Sequence, residues 1–453
     1  MNEEHNAQAT LPDRETEYLQ LEARVAQALD LARRGGADQA EATASLQGGL
    51  NTTVRLGEVE TLEHTRDRGL SVTVYLGKSK GHASSADLSE ASLRMSVERA
   101  LDIARYTAGD PCNGLADSDR MAEHFPDLDL WHPVPLEADA AIERCLRMEA
   151  SGREDAHITN SEGASVSGSF GVTVYGNSHG FLGRGDGTRY AQSCVLIAGE
   201  GGGMQRDYWY DTRRCLGDLE DPVETGRRAA ERTVRRLDAR KLSTRKTPVL
   251  FSPEIARTLL GHFVGAVSGG ALYRNASFLR DSLGKTLFPE WLNLVERPLV
   301  PRGAGSTAFD AEGVAVRDRA IVEAGVLKGY VLSSYSARRL EMETSGNAGG
   351  VHNLCAEGAL TPGWEMLERL GTGLLVTEVM GQGVRLVTGD YSRGASGFWV
   401  ENGAIVHPVE EVTVAGNLRD MFAGITAVGD DVDLRGNLQC GSMLVEGLTV
   451  AGS

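Results

Sequence analysis

Twice in its first 240 residues this chain runs through one order of patterns, namely a helix, several short strands and a second helix. Residues 17–34 place Tyr18, Leu21, Val25, Leu29 and Ala32 at helical spacing and stop at Gly35-Gly36. Alternating segments follow around 42–46, 52–56, 59–64, 70–76 and 81–85, with turn signals at Gly48-Gly49, Gly57, 67–69 and Gly77. Ser89 is placed to cap a helix whose inward face is Leu93, Val97, Leu101 and Ala104. The order then recurs as a helix near 137–150, strands near 158, 166–175, 189–197 and 204–210, and a charged helix over 221–237. Val72-Thr73-Val74-Tyr75 is repeated as Val172-Thr173-Val174-Tyr175. Four residues are thin support for duplication, because strands favour Val, Thr and Tyr anyway, so the repeated element order carries the argument.

From Pro248 the pattern changes. Ser252 as N-cap, Pro253 at the first helical position and Gly269-Gly270 as a stop delimit a helix. Its wheel puts Ile255, Leu259, His262 and Ala266 on one stripe and Thr258, Gly261 and Gly265 on another, so it reads as a buried helix with one polar intruder. Beyond it strands and Gly-rich turns dominate, including 314–319, 321–323, 326–332 and 374–378, with a hairpin signal at Glu401-Asn402-Gly403. The expected fold class is α+β: two related N-terminal helix–meander–helix subdomains, then a β-rich C-terminal domain containing one buried helix. The expected divisions are a mobile tail over 1–14, a subdomain over 15–106, a connector over 107–135, a second subdomain over 136–240 and the β-rich domain over 241–453.

A net charge of −17 disfavours phosphate backbones and argues against nucleic-acid binding as a main activity. The N-terminus lacks the basic and apolar regions of a secretory signal, and no run approaches the ~20 apolar residues of a membrane span. The six cysteines form no C-x-x-C pair and no secreted disulfide framework, so a cytoplasmic location is expected.

Motifs that could carry chemistry are sparse. Gly176-Asn177-Ser178-His179-Gly180 matches a nucleophile elbow in letters, but a turn-like segment follows where a helix is required. Arg184-Gly185-Asp186 is a three-residue coincidence, and the Gly-x-Gly runs at 371 and 381 lack the context of a dinucleotide loop. Asp430-Asp431-x-Asp433 lacks the glycine and distal glutamate of a calcium loop. No H-E-x-x-H occurs, and neither His352 nor His407 has a second histidine nearby in sequence.

Several longer stretches carry more. They include DLSEASLRMSVERALDIARYTAGDPCNG, LLGHFVGAVSGGALYRNASFLRDSLGK, the run from GTGLLVTEVMGQGVRLVTGDYSRGASGFWVENG to VTVAGNL, and VGDDVDLRGNLQCGSMLVEGLTVAG. Over residues 20–453 the chain resembles the PmbA/TldE branch of the TldD/PmbA family, proteins often named modulators of DNA gyrase. That resemblance implies a heterodimeric metalloprotease acting on unfolded proteins or ribosomally made peptides. The TldD branch carries H-E-x-x-x-H on the helix matching 252–270, plus a downstream cysteine as third zinc ligand. Here the two ligand positions hold Gly261 and Ala266, the general-base position holds His262, and the cysteine is Cys440. The resemblance therefore implies no catalytic or metal residue and no cofactor in this chain. Zinc is expected on a TldD-like partner, and Cys440 is a relic ligand position.

A closed cavity between the two subunits, holding substrate as an extended strand, is implied as well. Gly381, Gly383, Gly394 and Gly397 are candidate substrate contacts, since strand addition needs exposed backbone more than side chains. The competing reading is an independent adaptor that engages gyrase or toxin–antitoxin partners without a peptidase.

Overall fold

The computed structural model describes residues 11–452, which form two compact units. Most of the expected tail, residues 1–10, lies outside the described residues. No helix among the described residues is long and apolar enough to cross a membrane.

The first unit comprises the chain to Ala198, Arg206–Thr233 and Thr307–Val316. Its elements are α1 (Arg14–Arg34), β1 (Gln39–Arg55), β2 (Glu58–Leu76), β3 (Ser79–Ser85), α2 (Glu90–Tyr106), α3 (Ala138–Gly152), β4 (Ile158–Asn177), β5 (Leu182–Ala198), β6 (Gln205–Arg213) and α4 (Pro222–Val234). The six strands make one sheet in the order β3-β2-β1-β4-β5-β6, with β1 and β4 antiparallel, so the two helix–meander–helix halves meet at β1 and β4. The paired Val-Thr-Val-Tyr segments fall on β2 and β4, which are not equivalent strands of the two halves. The repeat therefore lies in element order and not in those four residues.

Two expected turns are absent. Gly48-Gly49 and residues 67–69 run straight through β1 and β2, paired across the hairpin as Gly48 with Arg66 and Gly49 with Thr65. The glycines mark close approach, since a Cβ on Gly48 would lie 2.6 Å from the Phe170 ring and one on Gly49 2.4 Å from the Gly168 carbonyl. The real turn is Leu56-Gly57, with φ of 52° and 82°, as a two-residue hairpin demands. The buried Glu149 carboxylate accepts both its amides, at 2.8 and 2.9 Å. Ser89 caps α2 as expected, and α1 and α2 pack Leu21, Val25, Leu93 and Val97 onto Ala42, Ala44, Val72 and Val74 of the sheet.

The second unit holds β7 (Arg245–Phe251), α5 (Pro253–Ala266), α6 (Gly269–Tyr273), β8 (Leu292–Glu296), β9 (Arg319–Glu323), β10 (Val326–Leu327), α7 (Ser334–Arg339), β11 (Leu354–Gly358), α8 (Met366–Leu370), β12 (Gly373–Met380), β13 (Val384–Arg385), β14 (Asp390–Glu401), β15 (Ala404–Asn417), α9 (Leu418–Ala423), β16 (Ile425–Val428), β17 (Leu438–Gln439) and β18 (Met443–Ala451). One sheet runs β10-β9-β8-β11-β17. In the other, the pairings of β12, β7, β18, β15 and β14 close on themselves, because β12 also pairs with β14. The β14–β15 turn is the expected one, with Asn402 and Gly403 at φ of 51° and 78°. Residues 314–318 form no strand; the Asp310 carboxylate holds the Glu312 and Val314 amides in a turn instead.

Helix α5 begins at Pro253 but ends at Ala266, before the glycines. Gly269 opens α6, where its amide donates to the Val331 carbonyl at 2.8 Å and a Cβ would meet Ser336 Oγ at 2.2 Å. The buried stripe of α5 is Ala256, Leu259, Leu260, Phe263 and Ala266. Phe263 anchors it edge-on to Phe288 and Phe422, at 5.2 and 5.9 Å between ring centres. The opposite face, with Thr258, Gly261, His262 and Gly265, is only partly buried.

Candidate functional site

That half-open face of α5 gathers the residues singled out in the sequence. At Gly261 an added Cβ would find nothing nearer than Leu438 Cδ1, at 3.6 Å; at Gly265 it would meet Leu386 Cδ1 at 3.1 Å. Between these two small positions stands His262. Its ring is edge-on to Tyr391 of β14, with centroids 6.1 Å apart, and its Nε2 is buried without a hydrogen-bond partner among the described residues. Burial, reinforced by the neighbouring Arg393 charge, lowers the imidazole pKa and keeps the ring neutral. Ala266 points the other way, fully buried in the main core, and its carbonyl accepts from Ser277 Oγ.

Cys440 lies between β17 and β18 and is fully buried. Burial pushes its thiol up, Asp433 and Asp431 add to that, and Arg257 opposes it. Asp433 belongs to an ion-pair network that fastens the start of α5 to this loop. Arg435 meets it at 2.8 Å, Arg257 of α5 at 3.4 Å, and Arg435 also reaches Glu254 of α5 at 3.4 Å. Although burial raises the Asp433 pKa, the Arg435 hydrogen bonds and both guanidinium charges hold it below the ordinary carboxylate value. Asp431 accepts from Ser442 and Asp430 from the Gly363 amide. All three aspartates of the Asp430-Asp431-x-Asp433 run thus serve the loop.

The four candidate substrate glycines divide by their surroundings. A Cβ at Gly383 would lie 1.7 Å from the Ser392 carbonyl oxygen, and one at Gly397 would lie 1.9 Å from that of Leu375. Gly397 also sits where the β14 register slips against both β12 and β15. Gly394 faces the Met380 side chain at 2.8 Å, whereas Gly381 has open space and φ of 78°. In the elbow-like run, Ser178 Oγ accepts from the Ala40 amide at 3.0 Å, and strand β5 follows. Arg184 and Asp186 clamp α1 through Glu15, Glu22 and Arg14. His352 is buried, its backbone amide donating to the Glu296 carboxylate at 2.7 Å and its ring Nε2 lying 3.1 Å from the Gly346 carbonyl.

No sequence motif singles out Tyr391 and Arg393. The available signal was their i, i+2 spacing on a strand, which puts both side chains on one face, here the face that meets α5.

Sequence profiles of PmbA/TldA metallopeptidase domains match three stretches: domain 1 at residues 48–104, the central domain at 131–237 and the C-terminal domain at 244–452. The chain is 49% identical to the metalloprotease PmbA of Escherichia coli O157:H7, over 95% of this chain and 96% of that one. A crystal structure of a candidate modulator of DNA gyrase from Bacteroides thetaiotaomicron superposes with a TM-score of 0.89 at 28% identity, covering 95% of this chain and 99% of the other. TldE from Thermococcus kodakarensis shares the fold, with a TM-score of 0.82 at 19% identity over 95% and 100% of the two chains.

Proposed function

Because this chain belongs to the PmbA/TldD metallopeptidase family, we propose that it is the TldE/PmbA-type, non-catalytic subunit of a heterodimeric metalloprotease whose zinc is held by a TldD-like partner. The observation that carries this reading is the donor set on α5 and beside β17. A catalytic zinc takes three protein ligands and keeps a fourth position for water. Position 261 has no side chain, position 266 offers a methyl group inside the core, and position 262 offers an imidazole beside a guanidinium. A divalent cation at that imidazole would be repelled by Arg393. Cys440 offers a single thiol, fully buried, whose pKa burial pushes up. Among the described residues no group of three or more His, Cys, Asp or Glu is placed to hold a metal ion. The residues present do not fit a catalytic zinc, and no hydrolytic step falls to this chain.

Its contribution is then to the cavity in which an unfolded or ribosomally made peptide lies extended in the cytoplasm. The test is metal analysis of the purified chain together with peptide cleavage by this chain alone, by a TldD-like chain alone and by the pair. Substoichiometric zinc and cleavage by the pair are expected. Stoichiometric zinc with peptidase activity in the chain alone would overturn the reading. Cleavage by the partner that is indifferent to this chain would favour the adaptor instead.

A further inference from the structure

The face of α5 that is wrong for a cation has unused capacity for another kind of ligand. Where it meets β14, three polar atoms are buried without a hydrogen-bond partner among the described residues: His262 Nε2 on the helix, and the Tyr391 hydroxyl and Arg393 Nε on the strand. They belong to one cluster, since Tyr391 and Arg393 share a face of β14 and the His262 ring stands edge-on to Tyr391. Native proteins rarely leave one such atom unpaired, and three together mark a place built to meet something.

Charge and donor count narrow what that is. Arg393 forms no ion pair among the described residues, and one long hydrogen bond, Nη2 to the Val379 carbonyl at 3.5 Å, occupies its far end. The charge that acts on His262 and on Tyr391 is that of Arg393. The guanidinium Nε and the phenol are donors, and a neutral imidazole can donate from Nε2. A ligand that completes the cluster must therefore accept several hydrogen bonds and bring about one negative charge. An amide or alcohol leaves the guanidinium unbalanced, and a phosphate dianion brings too much charge. A carboxylate has two oxygens, about four lone-pair sites and one charge. Gly261 and Gly265 leave the helix beside His262 without side chains, and the space over them is covered by Leu438 and by the partly exposed Leu386, whose side chain is what a ligand would displace.

We propose that the α5–β14 face is a carboxylate-binding site, with Arg393 as counter-ion and Tyr391 and His262 as flanking donors. The proposal stands whether or not the chain pairs with a catalytic subunit.

The experiment uses the full chain with its ten histidines carbon-13 labelled, acetate as probe, and acetamide and chloride at equal concentration and ionic strength as controls. The His262 resonance is assigned by its loss in His262→Gln. Acetate should move that resonance saturably, and neither control should. Tyr391→Phe should weaken acetate binding about threefold to tenfold, the range of a single hydrogen bond. It should leave the melting temperature unchanged or higher, because the hydroxyl has no partner to lose among the described residues. Arg393→Gln should abolish the response. No saturable shift with acetate, an equal shift with acetamide, or undiminished binding in Tyr391→Phe would each overturn the proposal, and the tyrosine variant keeps the test open should Arg393→Gln fail to fold.

Discussion

Asp433 keeps its charge with 1% of its side chain exposed, because Arg435 and Arg257 meet it at 2.8 and 3.4 Å. Removing the carboxylate takes the ion-pair partner from Arg257 and the shorter of two from Arg435, which is only 10% exposed. Asp433→Asn should therefore cost about 3 kcal/mol, the lower end for breaking a buried pair. Urea unfolding at neutral pH measures it. The folded-state pKa lies below the unfolded value, so the stabilisation is complete above the ordinary aspartate range near ~4 and disappears as pH falls through the folded value. The difference between wild type and Asp433→Asn should accordingly narrow below about pH 4.

Gly383 and Gly397 give a second residue-scale expectation. A side chain at either would run into a neighbouring strand's carbonyl, so Gly383→Val and Gly397→Val should each destabilise by about 3 kcal/mol or more. Gly381→Ala, limited to positive-φ strain of about 1–2 kcal/mol, should leave a folded chain. A loss of cleavage by the complex in the first two variants would report lost folding, so Gly381 is the position where a substrate role can be read cleanly. Thermal melts beside each assay separate the two causes.

At the scale of single elements, the β1–β2 hairpin depends on a residue from a distant helix. Glu149 of α3 accepts the amides of Leu56 and Gly57, fixing the turn that sets the register of both strands. Glu149→Ala should lose about 2–3 kcal/mol, and hydrogen exchange at the hairpin tip should quicken first. Nothing local in the sequence announces that contact, and the same limit explains which elements were legible. Helices α1, α2 and α5 could be read because periodicity and caps are local, as the Ser89 cap and Pro253 start illustrate. The strands were cut at Gly48-Gly49 because a glycine that admits Phe170 looks, in sequence, like a glycine that turns. The wheel of α5 placed His262 on the buried stripe, whereas packing on Phe288 and Phe422 chose the stripe through Phe263. Tyr391 and Arg393 were invisible as a pair with His262, since more than a hundred residues separate β14 from α5 and only the register of the sheet brings them together.

For the whole molecule, the family is legible in long motifs, while the proposal of a non-catalytic subunit rests on three positions of one helix and one cysteine. The triple change Gly261→His, His262→Glu, Ala266→His tests how much of a metal site the scaffold retains. Ala266 is fully buried in the core, so an imidazole there must displace packed side chains. The expected result is a destabilised chain that gains no tight zinc binding, read by calorimetric titration with zinc. The closed pairing of β7, β12, β14, β15 and β18 has a consequence in time. Synthesis runs from N- to C-terminus, yet β7 pairs with β18, Lys246 opposite Thr449, across almost the entire second unit. Until residues 443–451 emerge from the ribosome, β7 presents an unpaired edge bearing Val249, Leu250 and Phe251. The closed sheet of the second unit therefore cannot be completed before β18 is available, and until then the Val249–Phe251 edge is open to non-native pairing.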